Sequence, residues 1–230
     1  MPVTLEMAGK GTTVTLGRGK IIALGLNYSD HIEEMGRQIP AEPVLFAKTP
    51  NVLIPDGEPI VIPPFLYGYG FDEVVVHYEA ELGVVIGRRL KSAGPSEAME
   101  GVLGYTCFND VSQRNIQKSD VSGWFRGKSL DTFGPVGPVV VPAEDIPDPG
   151  RLDIRCRLNG LTVQESNTSR MLFPVAEILS YISGQITLEE GDLIATGTPA
   201  GVGRLRDGDV VEVEIEGIGV LSNPVVDRGA

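Results

Sequence analysis

Two glutamates stand one residue apart inside an otherwise apolar stretch, Val74 to Gly87. The Val and Ile content of this stretch predicts a β-strand, in which residues two apart share a face. His77, Glu79 and Glu81 are therefore expected on one side. Two buried carboxylates are costly unless their charge is compensated, and hard divalent cations such as Mg²⁺, Mn²⁺ and Ca²⁺ prefer carboxylate oxygens. The pattern indicates either a metal site or the solvated face of an edge strand.

A carboxylate site needs a third ligand, and Asp110 is the candidate. It follows the apolar stretch Val102 to Phe108, so it falls at a strand end, where ligands often gather. Nearby polar residues are able to bind an anionic substrate and to balance developing charge, namely Arg114, Gln117 and Lys128. For each of these three taken alone, a structural role is the simpler explanation.

The chain has two histidines, and His31 is the better candidate for a base. It lies three residues before Glu34, and residues at that spacing are neighbours on a helix. A carboxylate beside an imidazole orients the ring and raises its basicity, as in a general base that acts on water. The alternative is a surface histidine near two acids. His77 shares the face of the glutamate pair and is a candidate for contact with a metal ligand.

Three familiar motifs are incomplete. Gly127-Lys128-Ser129 suggests a phosphate loop, but Ser122 stands where that motif needs glycine. The Gly-rich run from Thr196 to Gly203 lacks the dinucleotide-binding spacing, although its backbone amides are able to hold an anion. The sequence contains no Gly-x-Ser-x-Gly nucleophile motif.

The composition is that of an ordinary globular protein, with 42% hydrophobic and 22% charged residues among 230. A net charge of −12 disfavours nucleic acid and anionic membranes as partners. Cys107 and Cys156 fit no zinc spacing and are expected to be buried thiols, with a disulfide as the alternative. We expect a cytoplasmic protein, because the start of the chain has no secretory pattern and no apolar run is long enough to cross a membrane.

The surrounding pattern predicts a mostly β (α+β) fold with few short helices. Residues 1–19 are expected to form an N-terminal hairpin, and residues 20–230 a catalytic domain. A helix is predicted from Asn27 to Gly36, with Asn27 or Ser29 as its N-cap. The clearest helical spacing runs from Pro174 to Ser183.

Taken together, these residues resemble the fumarylacetoacetate hydrolase family across nearly the whole chain. The matching stretches, in family order, are Gly25–His31, Glu42–Lys48, His77–Leu82, Gly104–Val111, Gly127–Asp131, Gly134–Pro138, Gly191–Asp192, Thr196–Gly201, Gly208–Asp209 and Glu216–Asn223. The stretch His77–Leu82 is closest to the isomerase/decarboxylase of the homoprotocatechuate pathway. The spacing of His31 and Glu34 is similar to that of acylpyruvases and oxaloacetate decarboxylases.

The resemblance implies a mixed β-roll or barrel and a homodimer. It implies Mg²⁺ or Mn²⁺, with Ca²⁺ as a crystallographic substitute, bound by three carboxylates rather than four, because Asn27 stands near where a relative has an aspartate ligand. The carried-over metal ligands are Glu79, Glu81 and Asp110, and the catalytic residues are His31, Glu34 and Lys128, of which His31 and Glu34 form a dyad on a lid. The carried-over substrate contacts are Arg114, Gln117 and Thr198.

The implied substrate is a small 2-oxo acid or its enol, of the 2-oxo dicarboxylate type, in aromatic or central carbon catabolism. One scaffold of this family hydrolyses acylpyruvate C–C bonds, decarboxylates 3-carboxy-2-oxo acids or moves an enol double bond. The alternative is a non-catalytic metabolite-binding protein of the same fold. The complete set of acids, bases and cations argues against that alternative, because a binding protein needs no base.

Overall fold

The computed structural model describes residues 2–121 and 123–229. It is mostly β, with short helices, as the sequence predicts. The strands in these residues, in chain order, are β1 (Val3–Met7), β2 (Thr12–Leu16), β3 (Ile21–Gly25), β4 (Val44–Lys48), β5 (Leu53–Ile54), β6 (Ile60–Ile62), β7 (Val76–Tyr78), β8 (Ala80–Ile86), β9 (Val102–Asn109), β10 (Ser112–Gln113), β11 (Gly134–Pro142), β12 (Asp153–Leu158), β13 (Leu161–Asn167), β14 (Leu193–Ala195), β15 (Gly203–Arg204), β16 (Val210–Ile215) and β17 (Gly219–Asp227).

The helices are short and lie at the edges of the sheets. The α-helices of the described residues are α1 (Ser29–Met35), α2 (Pro95–Met99), α3 (Arg114–Ser119), α4 (Phe125–Lys128) and α5 (Val175–Gln185), and the 3₁₀ turns are Pro50–Val52, Pro64–Tyr69, Ala143–Asp145 and Thr168–Arg170. The helix predicted from Pro174 to Ser183 is present as α5. Its apolar residues at helical spacing are buried, and the helix packs against α2. None of the helices among the described residues has both the length and the apolar character needed to cross a membrane.

A nine-stranded sheet carries the site and curls into a half-barrel. Its order is β2-β1-β11-β9-β8-β14-β3-β4, with β5 beside β11. Strands β1 and β2 pair antiparallel, and β1 joins the large sheet through a parallel pairing of Met7 with Val140. A five-stranded sheet of order β13-β12-β16-β17-β6 and a three-stranded sheet of order β10-β7-β15 complete the fold.

The central strand β8 separates two hydrophobic clusters. Leu82 and Val84 pack in the larger cluster, towards β12 and β16 of the five-stranded sheet. Val85, on the opposite face, packs in the smaller cluster with residues from β1, β3, β11 and β14. Because both faces are covered, β8 is apolar along most of its length, and the glutamate pair at its start is conspicuous. Cys107 and Cys156 are buried and not bonded to each other, as predicted.

The predicted helix after β3 exists, but its predicted cap is wrong. Helix α1 begins at Ser29, and the residue at the N-cap position is Tyr28, which makes no capping hydrogen bond through its side chain. The Asn27 side chain bonds instead to distant backbone groups of Thr196, which is buried, and of Phe173, which is half-buried. The helix ends at Gly36, which has the left-handed conformation, as predicted.

Candidate active site

Three buried carboxylates meet where two neighbouring strands of the large sheet end. Glu79 lies at the break between β7 and β8, Glu81 is the second residue of β8, and Asp110 directly follows β9. The antiparallel pairing of Ala80 with Asn109 brings these positions together. One oxygen from each carboxylate lies within 4.8 Å of the others. The solvated-face interpretation of the glutamate pair is therefore wrong, since Glu79 is 5% exposed and Glu81 1%.

The backbone around the cluster is fixed by its own hydrogen bonds. The side-chain oxygen of Asn109 accepts from the Glu79 amide at 3.0 Å, and the Asp110 amide donates to the Glu79 carbonyl at 2.9 Å. These bonds replace regular ladder bonds at the strand break. They hold the two ligand-bearing strands in register, so the carboxylates are preorganised rather than assembled by a ligand.

Two buried lysines and an arginine surround the carboxylates. The ammonium nitrogen of Lys128 lies 2.6 Å from Oε2 of Glu79 and 2.5 Å from Oδ2 of Asp110. Lys48 lies 2.5 Å from Oδ1 of Asp110. Arg114 forms an ion pair with Oε1 of Glu79. Three carboxylates are thus matched by three cations, which explains how this much charge is buried.

The pKa values of the two glutamates are driven in opposite directions. Burial opposes ionisation of Glu79, but Arg114 and Lys128 more than offset it and lower the pKa of Glu79. Burial, together with the charges of Asp110 and Glu79, raises the pKa of Glu81 well above its usual range. Within the described part of the chain, Glu81 is the one of these three carboxylates that forms no ion pair.

The lysines also differ in pKa. Burial lowers the pKa of Lys48, and the opposing effect of Asp110 only partly offsets it. Burial acts on Lys128 as well, but Asp110 and Glu79 together overcome it and raise the pKa of Lys128.

Glu81 provides the test of whether the site suits a cation. Its Oε2 accepts a hydrogen bond from the Gly197 amide at 2.8 Å, whereas its Oε1 has no partner among the residues that the structure describes. An unpartnered buried carboxylate oxygen is costly, and it lies beside two further carboxylates. Three buried carboxylate oxygens, one each from Glu79, Glu81 and Asp110, are the donor set that Mg²⁺ or Mn²⁺ prefers, so the residues fit a hard divalent cation.

The Gly-rich loop after β14 closes one side of the cluster, and Asn27 fixes its position. The amide of Asn27 donates to the Thr196 carbonyl at 2.8 Å and to the Phe173 carbonyl at 3.2 Å, and its oxygen accepts from the Phe173 amide at 2.9 Å. Gly197 has φ +97, and a Cβ there would lie 2.8 Å from the Cβ of Asn27. The contacts of Asn27 are thus structural, and the group of candidate ligands in the described residues consists of Glu79, Glu81 and Asp110.

Helix α1 carries the predicted pair of His31 and Glu34. Nδ1 of the His31 imidazole lies 3.3 Å from Oε2 of Glu34. His31 is buried, and the Gly201 amide lies 3.3 Å from both oxygens of Glu34. Asp30 anchors the helix to β13 through a 2.7 Å bond from the Ser166 hydroxyl. The geometry is that of an oriented imidazole with a carboxylate partner.

Arg114 links three of the predicted residues. It donates to Oε1 of Gln117 at 2.8 Å and to Nδ1 of His77 at 3.1 Å, in addition to its ion pair with Glu79. Burial and the charge of Arg114 lower the pKa of His77 to about 4, which leaves the ring neutral and able to accept this bond. His77 therefore positions Arg114, which in turn contacts a candidate metal ligand.

Two of the residues around the site carry no signal strong enough to find in the sequence alone. Lys48 ends a strand in which it shares the buried face with Phe46, and that alternation is the only local clue. Gln164 lies in β13 and donates to the Thr198 hydroxyl at 2.9 Å and to the Pro199 carbonyl at 2.9 Å. It thereby positions Thr198, one of the predicted substrate contacts.

These residues surround one cavity of about 560 Å³. Its polar lining includes all of the predicted site residues except Asp110, which lies behind the other carboxylates and is fully buried. One wall is apolar and contains Phe46 and Trp124, whose rings meet edge to face at 5.5 Å. A cavity of this size, with convergent polar groups at one end, is typical of a small-molecule site.

The chain is similar to known proteins over most of its length. Residues 20–226 match the family model described as fumarylacetoacetate (FAA) hydrolase C-terminal. A mitochondrial oxaloacetate tautomerase from Xenopus laevis is 42% identical over 215 residues, which are 90% of this chain and 65% of the relative.

Two solved structures are also similar. A 2-hydroxyhepta-2,4-diene-1,7-dioate isomerase from Mycobacterium marinum is 42% identical, with a TM-score of 0.81, and the match covers 95% of this chain and 79% of that one. Fumarylpyruvate hydrolase from Pseudomonas aeruginosa, in complex with Mn²⁺ and pyruvate, is 30% identical, with a TM-score of 0.88. The match covers 99% of this chain and 97% of that one.

The chain belongs to the fumarylacetoacetate hydrolase family. Because its named relatives include an isomerase, a hydrolase and a tautomerase, we conclude that it is an enzyme of this family. The alternative of a non-catalytic binding protein is not favoured.

Proposed function

We propose that this protein is a divalent-metal-dependent enzyme that acts on small 2-oxo acids or their enols. The observation that carries the proposal is Oε1 of Glu81, which has no hydrogen-bond partner in residues 2–121 and 123–229. It is buried beside Glu79 and Asp110, in the cavity that also holds His31. The Mn²⁺ and pyruvate in the fumarylpyruvate hydrolase structure support the same class of cofactor and ligand.

Glu79, Glu81 and Asp110 are the residues that would hold Mg²⁺ or Mn²⁺. When bound, such a cation supplies Lewis acidity for the 2-oxo carboxylate and stabilises the charge that develops on its oxygens. Arg114 and Lys128 add positive charge at the same end of the cavity, and they attract and orient the substrate carboxylate. Phe46 and Trp124 exclude water from the apolar side.

His31 is the proposed proton-transfer group. In this account, Nδ1 of its ring donates to Glu34, which leaves Nε2 as the acceptor. In hydrolysis of an acylpyruvate, Nε2 takes a proton from water as the water attacks the distal carbonyl. In isomerisation of an enol, the same nitrogen moves a proton between oxygen and carbon. Glu34 keeps the ring oriented and stabilises its protonated form.

The reaction is tested with a panel of four substrates. The protein, stripped of metal and reloaded with Mg²⁺ or Mn²⁺, is assayed on acetylpyruvate, fumarylpyruvate, oxaloacetate and 2-hydroxyhepta-2,4-dienedioate, with EDTA as the control. Turnover of at least one substrate that EDTA abolishes supports the proposal and identifies the reaction. Turnover that survives EDTA, or metal-loaded protein inactive on the whole panel, contradicts it.

The resemblance to the family also leads us to propose a homodimer. Sedimentation velocity of the purified protein over a range of concentrations tests this proposal. A monomer at all concentrations would overturn it.

A further inference from the structure

The Gly-rich loop from Thr196 to Gly203 binds two carboxylates of the site through backbone amides. The Gly197 amide donates to Oε2 of Glu81 at 2.8 Å, and the Gly201 amide lies 3.3 Å from both oxygens of Glu34. Glu81 belongs to the candidate metal cluster, whereas Glu34 belongs to the histidine–carboxylate dyad. The amides of this loop are therefore directed at two protein side chains, and the loop connects the cluster to the dyad.

Gly201 is fixed by hydrogen bonds to both of its peptide groups. The Tyr78 hydroxyl donates to the Gly201 carbonyl at 3.1 Å. On the other side, Nε2 of Gln164 lies 3.4 Å from the Ala200 carbonyl, which shares a peptide group with the Gly201 amide. Gly201 has φ +92, and a Cβ there would lie 2.2 Å from the Val163 carbonyl oxygen. Glycine is thus required at this position, and its permissive backbone depends on these bonds for a defined direction.

The position of Tyr78 in β7 directs its hydroxyl at this loop. Strand β15 pairs with β7 at Gly203 and Tyr78, and a Cβ at Gly203 would lie 2.3 Å from the Tyr78 hydroxyl oxygen. Tyr78 is buried and does not line the cavity. Among residues 2–121 and 123–229, the Gly201 carbonyl is the hydrogen-bond partner of this hydroxyl, and it has no other. The hydroxyl therefore acts on the loop and has no direct contact with a ligand in the cavity.

We infer that Tyr78 is a positioning residue for the dyad of His31 and Glu34. Its hydroxyl fixes the Gly201 carbonyl, and the amide of the same glycine orients the Glu34 carboxylate. Glu34 in turn determines which nitrogen of the His31 ring carries the proton. Because Tyr78 directly precedes Glu79, one strand segment positions both a candidate metal ligand and the dyad. The inference rests on the proposed function, which assigns proton transfer to His31.

The tautomer of the His31 ring reports on this series of contacts without any substrate. A neutral imidazole carries its proton on one nitrogen, and a carboxylate beside Nδ1 keeps the proton there. His77 is an internal reference with the opposite tautomer, because its Nδ1 accepts from Arg114 at 3.1 Å. Long-range proton–nitrogen correlation spectra of the Mg²⁺-loaded protein, recorded at a pH where both rings are neutral, distinguish the two forms. The variant His31→Ala assigns the signals.

Tyr78→Phe removes only the hydroxyl, and we expect it to shift the ratio of the His31 tautomers about fivefold towards protonated Nε2, which is the size of effect that one hydrogen bond supports. Mg²⁺ affinity should stay within about twofold of wild type, because the hydroxyl makes no contact with the carboxylate cluster. On any substrate that the panel identifies, kcat should fall about three- to tenfold at an unchanged KM.

The matched control is Tyr105→Phe, which makes the same change at a buried tyrosine in β9 that does not line the cavity. This control should keep the wild-type tautomer ratio of His31. A shift in Tyr78→Phe alone would therefore assign the effect to the contact with Gly201.

Three results would overturn the inference. If His31 of the wild-type protein carries no proton on Nδ1, Glu34 does not orient the ring. If Tyr78→Phe leaves the tautomer ratio unchanged, Tyr78 does not position the dyad. If Tyr105→Phe shifts the ratio equally, the loss of any buried hydroxyl has the same effect. Inactivity of the wild-type protein on the whole panel is a separate result, which refutes the proposed function while the spectra still decide whether Tyr78 orients His31.

Discussion

The ammonium nitrogen of Lys128 lies 2.6 Å from Oε2 of Glu79, and both side chains are buried. This ion pair connects helix α4 to the strand break that carries the glutamate. It also means that a lysine neutralises one of the candidate metal ligands. Metal binding and the Lys128 contact are therefore coupled, since a cation at the carboxylates changes the charge that Lys128 balances.

Replacing Lys128 by methionine is expected to destabilise the metal-free protein by about 3–5 kcal/mol, because the substitution leaves buried carboxylates without their cation. Mn²⁺ should restore part of this loss, since it binds the folded state only. Urea unfolding with EDTA and with Mn²⁺ measures both effects. Lys118→Met, which removes an exposed lysine that has no ion pair with any described residue, is the control and should change the free energy of unfolding by less than about 0.5 kcal/mol. Equal losses in the two variants would contradict the account.

The raised pKa of Glu81 predicts a pH dependence of stability. In the unfolded chain this carboxyl ionises near 4.5, whereas in the metal-free folded state it keeps its proton to higher pH. Between these pH values the unfolded state binds fewer protons, so the free energy of unfolding falls as the pH rises above 4.5. Glu79 adds no slope there, because its lowered pKa makes its contribution complete by that pH.

Urea unfolding of the protein in EDTA, measured from about pH 4.5 upwards, tests this expectation. Glu81→Gln should be more stable than wild type at the upper end of the range and should lose the slope. Mn²⁺ should remove the slope from wild type, because the bound cation favours the ionised form. If the slope is unchanged in Glu81→Gln, groups other than Glu81 cause the pH dependence.

The sequence was most informative where the governing contacts are local. The alternation in Val74–Gly87 predicted that Glu79 and Glu81 share a face, and the structure has both in one cluster. The curl of the large sheet was beyond such reasoning, because it depends on pairings between distant strands, such as Met7 with Val140. Lys48 was missed for the same reason, since its partner Asp110 lies 62 residues further along the chain.

Asn27 is the instructive error. An asparagine before a helix is a strong local signal for an N-cap. In the structure, however, its side chain bonds to Phe173, 146 residues away, where it satisfies both a carbonyl and an amide of the half-buried backbone. A long-range requirement that leaves no trace in the local pattern decided the role of this residue.

Changing Asn27 to aspartate tests whether this position is structural. The aspartate loses both donors and sets a negative charge against the carbonyls of Thr196 and Phe173, so we expect a loss of about 2–3 kcal/mol with no tighter Mn²⁺ binding. Thermal unfolding and Mn²⁺ titration are the readouts. Gln38→Glu is the control, because it makes the same amide-to-carboxylate change at an exposed position, and it should cost much less. Tighter metal binding in Asn27→Asp would instead make position 27 a latent fourth ligand.

The division of labour between His31 and the carboxylates is also testable. His31→Ala should bind Mn²⁺ within about threefold of wild type and lose about 10²–10⁴ in the rate of hydrolysis, which is the usual contribution of general acid–base catalysis. Decarboxylation should fall less, because the carboxylate cluster contributes most to it. Glu79→Ala should lose Mn²⁺ binding and all activity. Equal losses of hydrolysis and decarboxylation in His31→Ala, measured by steady-state kinetics, would refute the division.

The most direct test of the central claim is the position of the metal itself. Anomalous diffraction at the manganese edge, from crystals grown with Mn²⁺ and pyruvate, locates the ion independently of any assay. We expect one strong peak bounded by Glu79, Glu81 and Asp110, with pyruvate on its cavity side. A cluster without a peak, with Lys128 still bridging Glu79 and Asp110, would contradict the account of a metal-dependent active site.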